Sequence, residues 1–298
     1  MILALTLALA TSATAAPDPA VARGVDWLVA RQDALPVGFD KFYRYLYRLS
    51  ADDALADRLY GAAVRANPKR PRTVVPLGAG VTLPGLQAAI EQLYQVRCSG
   101  TDSVGYERQR QVLRGHRDRL FGAGLPANQR IVTSFLLRKV DLGEGYEAVA
   151  SEIRRDALGV RSPLEILMLT HVVFTRSDYF ARYPDAAAML PEAEALRAAS
   201  RSFAGEDAGA FLRNPGTQDL VGEVLSARKL LRMAPDATSV ELERRLRLAQ
   251  NPDGSWGSED LASCPTCKVH HTLVAVQALA AYPATFRARD AWCDADWR

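Results

Sequence analysis

Two cysteines and a histidine near the end of the chain have the spacing of metal ligands. They lie in the segment SCPTCKVHHT, residues 263–272. Pro265 suits the first turn of a helix, where its missing N–H costs no hydrogen bond, so we expect a helix to begin there. Cys264, Cys267 and His271 then fall at positions i, i+3 and i+7, on one face of that helix. Two sulfurs and one imidazole supply three of the four ligands of a tetrahedral zinc ion.

A repeated segment offers the fourth ligand. The stretch THVVFTRSDYFARYP resembles VHHTLVAVQALAAYP, and His171 and His270 each precede a Tyr-Pro pair by twelve residues. Self-similarity of this kind indicates equivalent elements of structure. The predicted zinc ligands are therefore Cys264, Cys267, His271 and His171. His270 is predicted to assist at the site without being one of the four ligands.

Disulfide bonds are the alternative use of the cysteines. The chain has four of them, Cys98, Cys264, Cys267 and Cys293, and exported proteins most often use cysteines in disulfides. Three connectivities are possible, and the pairing that we expect is Cys264–Cys267 with Cys98–Cys293. An oxidising compartment favours disulfides over zinc, and with paired cysteines we expect no cofactor.

The first residues have the pattern of a secretory signal peptide. An apolar run at residues 2–10 precedes a small-residue cleavage site at Ala13, Thr14 and Ala15. This run is too short to cross a bilayer, which takes about 20 apolar residues, and no other stretch reaches that length. We therefore expect a signal peptide at 1–15 and a mature domain at 16–298 that is periplasmic or secreted, with no transmembrane segment.

Composition and motifs exclude several classes of function. The 298 residues include 37 Lys and Arg against 34 Asp and Glu. This small excess of positive charge is not typical of a nucleic-acid-binding protein. There is no Gly-x-Ser-x-Gly, P-loop or His-Glu-x-x-His motif, so the common hydrolase, nucleotide-binding and zinc-protease signatures are missing.

Most of the mature chain has the apolar spacing of helices. Apolar residues recur every three or four positions, as in Leu220, Val224 and Leu231. Helices are predicted at residues 19–32, 51–66, 86–97, 107–121, 127–139, 144–156, 163–175, 192–201, 218–233, 239–250 and 267–282, with a twelfth in the aromatic stretch FDKFYRYLYRL. The rings of that stretch suit the wall of an apolar cavity or the core: Phe39, Phe42, Tyr43, Tyr45 and Tyr47. Prolines, glycines and β-branched residues predict an irregular loop near 66–85.

Two segments near the ends of the chain share a pattern of a basic residue, Gln and a glycine turn. The first contains Arg23, Gly24, Trp27, Leu28 and Gln32. The second is QNPDGSWG with its preceding helix, and its matching residues are Leu246, Gln250, Gly254 and Trp256. Within it, Asn251, Pro252 and Gly254 are typical of a β-turn, so the preceding helix should end near Gln250.

This pattern resembles the QW repeat of the α/α-toroid proteins, which include triterpene cyclases and protein prenyltransferases. In those families the Gln side chain bonds to backbone groups at a neighbouring helix end and the Trp packs on its amide. The second half of the first copy departs from the motif after Gly38, and Arg245 replaces the aromatic residue of the second. The resemblance implies an all-α fold, a single toroid of about six helical hairpins. An irregular helical bundle or a helical repeat is the alternative.

The resemblance also implies functional groups at the mouth of a central cavity. His271-Thr272 resembles the His-Thr that opens an inner helix of protein prenyltransferases, where the His binds catalytic zinc. Their Asp-x-Cys ligand pair and the Asp-x-Asp-Asp cluster of triterpene cyclases are not recognisable here. Two functions stay open: an enzyme or metalloprotein with a zinc site acting on a small apolar ligand or a peptide, and a non-catalytic binding or structural module stabilised by disulfides.

Overall fold

All the regular structure that the computed structural model describes is helical, which confirms the predicted all-α class. No strand occurs among the described residues, which are 18–32, 40–66, 73–78, 80–99, 102–121, 125–159, 162–258 and 267–287. No helix in this part of the chain is both long and apolar enough to cross a membrane. The predicted signal peptide at 1–15 lies outside the described residues.

Fourteen α-helices are found in the described part of the chain. They are α1 (Pro19–Ala30), α2 (Asp40–Leu49), α3 (Asp53–Ala66), α4 (Leu83–Ser99), α5 (Ser103–Gly115), α6 (Arg117–Phe121), α7 (Ala127–Lys139), α8 (Tyr146–Ala157), α9 (Pro163–Arg176), α10 (Leu190–Gly205), α11 (Ala208–Arg213), α12 (Pro215–Leu230), α13 (Ala237–Leu248) and α14 (Cys267–Leu279). A short 3₁₀ turn, Ala187–Met189, precedes α10.

The predicted helices are all present, with two differences. The segment predicted as one helix at 107–121 divides at His116, whose N–H bonds to the carbonyl of Leu113 in a tightened last turn. An additional short helix, α11, begins after Asp207 because the Asp207 carboxylate accepts a hydrogen bond from the N–H of Ala210 at 2.7 Å. Residues 73–78 and 80–82 of the predicted loop are irregular, as expected, whereas 83–85 belong to the first turn of α4.

Helix α12 lies at the centre of the packing. It contacts α9, α10, α13 and α14, and nearly every face of it is buried. The larger apolar cluster unites the helices around it with α1, α2 and α3, and a smaller cluster lies among α4, α5, α6 and α7. The first helix packs against the last described one, α14, so the two ends of the described chain meet.

The turn between α13 and α14 has the predicted form. The N–H of Gly254 donates to the carbonyl of Asn251 at 2.9 Å, which closes a four-residue β-turn. Gly254 has a φ of 90°, a left-handed conformation that glycine adopts without a steric cost. Helix α13 ends at Leu248, two residues before the predicted end at Gln250.

The side chain of Gln250 joins this turn to the first helix. Its Nε2 donates to the carbonyl of Ala20 at 2.8 Å and to that of Gly254 at 2.9 Å. Its Oε1 accepts from Nε of Arg23 at 3.1 Å. Because Ala20 and Arg23 belong to α1, one amide links positions 230 residues apart in the chain.

Trp256 fills the space between α1, α13 and α14. Its ring is fully buried, and its Nε1 donates to the carbonyl of Leu246 at 2.7 Å. Its backbone N–H donates to Oγ1 of Thr272 at 3.0 Å, which ties the turn to α14. A Cβ atom on Gly24 would lie 2.9 Å from the indole ring, so this glycine is what allows α1 to approach. We refer to Gln250, Trp256 and Gly24 together as the clasp.

The first copy of the motif makes different contacts. Nε1 of Trp27 donates to Oδ2 of Asp253, in the turn of the second copy, at 2.9 Å. Gln32 accepts a hydrogen bond from Arg65 of α3 at 3.2 Å. The glycine turn that follows Gln32 lies outside the described residues. The two copies therefore also meet through Trp27 and Asp253, in addition to the contacts of Arg23 and Gly24.

Replacing Trp256 by alanine should destabilise the protein by about 3–5 kcal/mol, the usual cost of deleting a buried aromatic ring. Gln250→Ala should cost about 1–3 kcal/mol because it leaves the carbonyl of Ala20 without its side-chain donor. Urea unfolding followed by circular dichroism would measure both. Leu248→Ala, an exposed change close to the turn, is the control and should stay within about 0.5 kcal/mol. Equal losses for all three variants would contradict the clasp.

Candidate functional site

The structure contains a cavity of ≈ 590 Å³ bounded by five helices and one turn. The helices are α2, α4, α7, α9 and α14, and the turn follows α9. Cavities of several hundred Å³ are the size that holds a small organic ligand. The cavity is therefore the first candidate for a functional site in the described part of the chain.

Aromatic side chains form the apolar part of the cavity wall. The rings that line it are Phe42, Tyr45, Tyr94, Phe135 and Tyr179. Tyr45 and Tyr179 stack with their centroids 5.7 Å apart. The aromatic stretch in α2 thus serves both of its predicted roles, since Phe42 and Tyr45 face the cavity whereas Tyr43 and Tyr47 are buried in the core. Phe39 lies outside the described residues.

The charged side chains of the wall carry an excess of positive charge. The cations are Lys41, Arg48, Lys139 and Arg182, and the anions are Glu91 and Asp178. Lys41 pairs with Glu91 at 3.2 Å, and Lys139 pairs with Asp178 at 3.2 Å. Burial lowers the pKa of Lys139 and of Arg48, and the neighbouring Arg44 lowers that of Arg48 further. An anion in the cavity would offset this cost of burying positive charge.

A left-handed turn forms one side of the cavity. Asp178, Tyr179 and Phe180 have φ values of 53°, 50° and 65°, although none of them is glycine. Such conformations cost of order 1–3 kcal/mol each and cluster at functional sites. The turn is held by a bond of 2.9 Å from the N–H of Tyr179 to the carbonyl of Phe174 and by the ion pair of 2.8 Å between Asp178 and Arg138. These contacts keep Asp178 and Tyr179 in the wall despite the strain.

Two carboxylates on α12 meet histidines from the two helices of the internal repeat. Asp219 and Glu223 lie one turn apart on α12, which places them on the same face. His270 of α14 lies beside Asp219, and His171 of α9 lies beside Glu223. Both histidines line the cavity. A Cβ atom on Gly222 would lie 2.6 Å from Cγ1 of Val274, so the glycine allows α12 and α14 to approach this closely.

The α14 pair has the stronger electrostatic contact. Nδ1 of His270 lies 3.1 Å from Oδ1 of Asp219. Burial alone would lower the pKa of His270, but the neighbouring Asp219 carboxylate outweighs it and the net effect is a raised pKa. The adjacent His271 has its pKa lowered, mainly by burial, which favours the neutral imidazole. One ligand atom each from Asp219, His270 and His271 lie within 4.8 Å of one another.

The α9 pair is more deeply buried. Nδ1 of His171 bonds to the carbonyl of Leu167 at 2.9 Å and lies 3.7 Å from Oε2 of Glu223. The hydroxyl of Thr170 hydrogen-bonds Oε2 of Glu223. Burial raises the pKa of Glu223 even though His171 acts in the opposite direction. The fold therefore shifts this carboxyl group toward its neutral form relative to an exposed glutamate.

The described residues do not gather the zinc ligands predicted from the sequence. His271 lies with Asp219 and His270, and the group contains neither Cys267 nor His171. Cys267 is disulfide-bonded, so its sulfur is not a free thiolate. Cys264, Cys293 and the side chain of Cys98 are outside the described part. The full zinc set and both disulfide pairings therefore stay predictions.

Sequence reasoning missed the two carboxylates. Asp219 and Glu223 lie in the helix predicted at 218–233, and their spacing of four residues was a signal for a shared face. That signal does not reveal which face is buried or which helix covers it. The repeat did identify His171 and His270 as equivalent, and they do face one cavity.

Comparison with known proteins gives no relative. No protein-family model matches the chain, and no curated protein or solved structure matches it. The chemistry of the site is therefore interpreted from its own geometry.

Replacing Glu223 by glutamine should raise the free energy of unfolding relative to the parent protein, and this gain should be larger at alkaline pH than at acid pH. A carboxyl whose pKa is raised by folding binds its proton more tightly in the native state, so it lowers stability as pH rises from its ordinary value of 4.5 through the raised pKa. Each unit of that rise costs about 1.4 kcal/mol above both pKa values. Glutamine keeps the hydrogen bond to Thr170 and removes the titration.

Urea unfolding of both proteins at pH 4 and pH 8 measures the effect. The difference in the free energy of unfolding between E223Q and the parent should grow toward pH 8. Glu194→Gln, an exposed change on α10, should show no such pH dependence. A constant difference for E223Q would show that Glu223 keeps an ordinary pKa.

Proposed function

We propose that the cavity binds a small molecule. This ligand has one anionic group and an apolar part that can pack against aromatic rings. The observation that carries this proposal is a wall that combines five aromatic rings with a surplus of cations. The proposal retains the small apolar ligand expected from the sequence and adds a negative charge to it. A module whose interior is merely packed is disfavoured by a cavity of ≈ 590 Å³.

The same cavity supports an α/α toroid as the architecture. Successive packing contacts run from α2 to α14, α12, α9, α7 and α4. The ion pair between Lys41 of α2 and Glu91 of α4, at 3.2 Å, joins the two ends of this succession. We propose that these six helices form an inner ring, in which all but α12 line the cavity. Helices α1, α3, α5, α8, α10 and α13, which pack against them, would form the outer ring.

The position of the charges suggests how the ligand lies. Lys139 and Asp178 face the cavity next to Phe135 and Tyr179, and Lys139 also lies 5.3 Å from the ring centroid of Phe135. An anionic group near Lys139 would place the body of the ligand against these rings. Electrostatic attraction in a partly buried site is stronger than in water, so this contact would contribute substantially to affinity.

An oxidising compartment is part of the proposal. The disulfide of Cys267 supports the expected export to the periplasm or the medium, because disulfides persist in such compartments. The second candidate, a structural module stabilised by disulfides, is favoured by this same observation. The two differ in whether the cavity takes a ligand, and dye binding separates them.

The dye 8-anilinonaphthalene-1-sulfonate should bind with a stoichiometry of one per chain. It should bind about tenfold more tightly than N-phenyl-1-naphthylamine, which has the same rings without the sulfonate. Lys139→Met should remove most of this preference, a change of about 1.4 kcal/mol, and leave the neutral dye unaffected. Fluorescence titration measures both dyes.

The control is Arg201→Met, which removes an exposed positive charge on α10. It should leave both affinities unchanged. Equal affinities for the two dyes in the parent protein, or loss of both in the Lys139 variant with its helical signal intact, would contradict an anionic ligand. No binding of either dye would favour the structural module.

Expression of the full chain in a Gram-negative host should yield a periplasmic protein that begins at residue 16. Thiol titration of the denatured protein should detect no free cysteine, and four after reduction, because we expect both disulfides to form there. N-terminal sequencing and thiol counting provide the measurements. An intact N-terminus in the cytoplasm, with free thiols, would contradict export.

A further inference from the structure

Asp219, His270 and His271 bring together the side-chain types of a transition-metal site. One potential ligand atom of each lies within 4.8 Å of the other two. Two imidazoles and a carboxylate are a common protein donor set for catalytic zinc, in which a fourth position is left for water or substrate. Metal–ligand bonds of about 2.0–2.2 Å place donor atoms about 3–4 Å apart. Small side-chain rotations therefore suffice to close the group around an ion.

Two atoms of the group are buried and lack hydrogen bonds. They are Oδ1 of Asp219 and Nδ1 of His271. Nδ1 of His270 lies 3.1 Å from Oδ1 of Asp219, an ion-pair distance, but the two atoms do not form a hydrogen bond. Buried polar atoms without a partner are rare because each costs about 1–3 kcal/mol. A bound cation would satisfy the carboxylate oxygen and accept the imidazole lone pairs.

Two glycines create the space that the group occupies. Gly222 lets α12 approach α14, which brings Asp219 to the histidines. Gly257, directly after the buried Trp256, lies against the ring of His271, since a Cβ atom there would lie 2.6 Å from Nδ1. It has a φ of 92°. The positions of the three side chains are thus determined by backbone packing on both sides.

We propose that Asp219, His270 and His271 bind one divalent transition-metal ion, with zinc as the best match to these donors. Because His270 lines the cavity, the proposed site lies at the cavity wall. This site uses no sulfur and excludes His171, so it differs from the ligand set predicted from the sequence. It does not depend on which ligand, if any, the cavity binds.

Cobalt and zinc titrations test the proposal on the full mature chain after treatment with a chelator. Cobalt should bind with a stoichiometry of one per chain and give visible d–d absorption without the near-ultraviolet band of thiolate ligands. Zinc should displace it. Asp219→Asn and His271→Gln should each weaken zinc binding more than about 100-fold, since even changes in groups that only orient metal ligands cost 10–100-fold.

Matched variants keep the test independent of folding. His116→Gln, at the break between α5 and α6, and His171→Gln, in the same cavity, should both retain zinc. All variants are compared by helical circular dichroism, and having two ligand variants guards against one that fails to fold. The absence of stoichiometric metal binding would overturn the proposal. A thiolate absorption band that disappears in Cys267→Ser would also overturn it. So would a loss of zinc binding in His171→Gln while Asp219→Asn still binds zinc. The dye titrations, repeated with chelator present, report on the cavity ligand separately.

Discussion

The burial of one indole ring against the first helix is the contact on which the arrangement depends. Trp256 occupies space that Gly24 leaves open, and Gln250 bonds to the carbonyl of Ala20. The two ends of the described chain are thereby held together, and α14 is fixed beside α1 and α12. The helix that carries His270 and His271 is therefore positioned from two sides. The positions of these two histidines therefore depend on a packing contact outside the candidate site.

Helix α12 connects this contact to the candidate site. It is buried on nearly all faces, yet it carries Asp219 and Glu223 toward two histidines. Buried carboxyl groups are costly unless they are paired or neutral. The two carboxyl groups meet this cost differently, because Asp219 lies against His270 whereas Glu223 bonds to Thr170 and has its pKa raised by burial. Neighbouring acids on one face thus acquire different properties from their surroundings alone.

Local signals predicted the helices, the turn at Asn251–Gly254 and the equivalence of His171 and His270. These features depend on residues close in sequence, such as the proline and glycine of the turn. The partner of each histidine depends on how α12 packs, and no spacing in the sequence reveals that. The left-handed turn at Asp178 was also hidden, because it contains no glycine to indicate it. Tertiary contacts hold that turn, so local propensity could not predict it.

The span of the clasp has a consequence for biogenesis. Its partners Gln250 and Ala20 are separated by 230 residues, so the contact cannot form until the segment that contains Gln250 has emerged from the ribosome. Pairing of such distant segments is slow, since a long loop must be ordered first. Until then the face of α1 that packs against Trp256 and α14 stays uncovered, although α3 already covers another part of that helix.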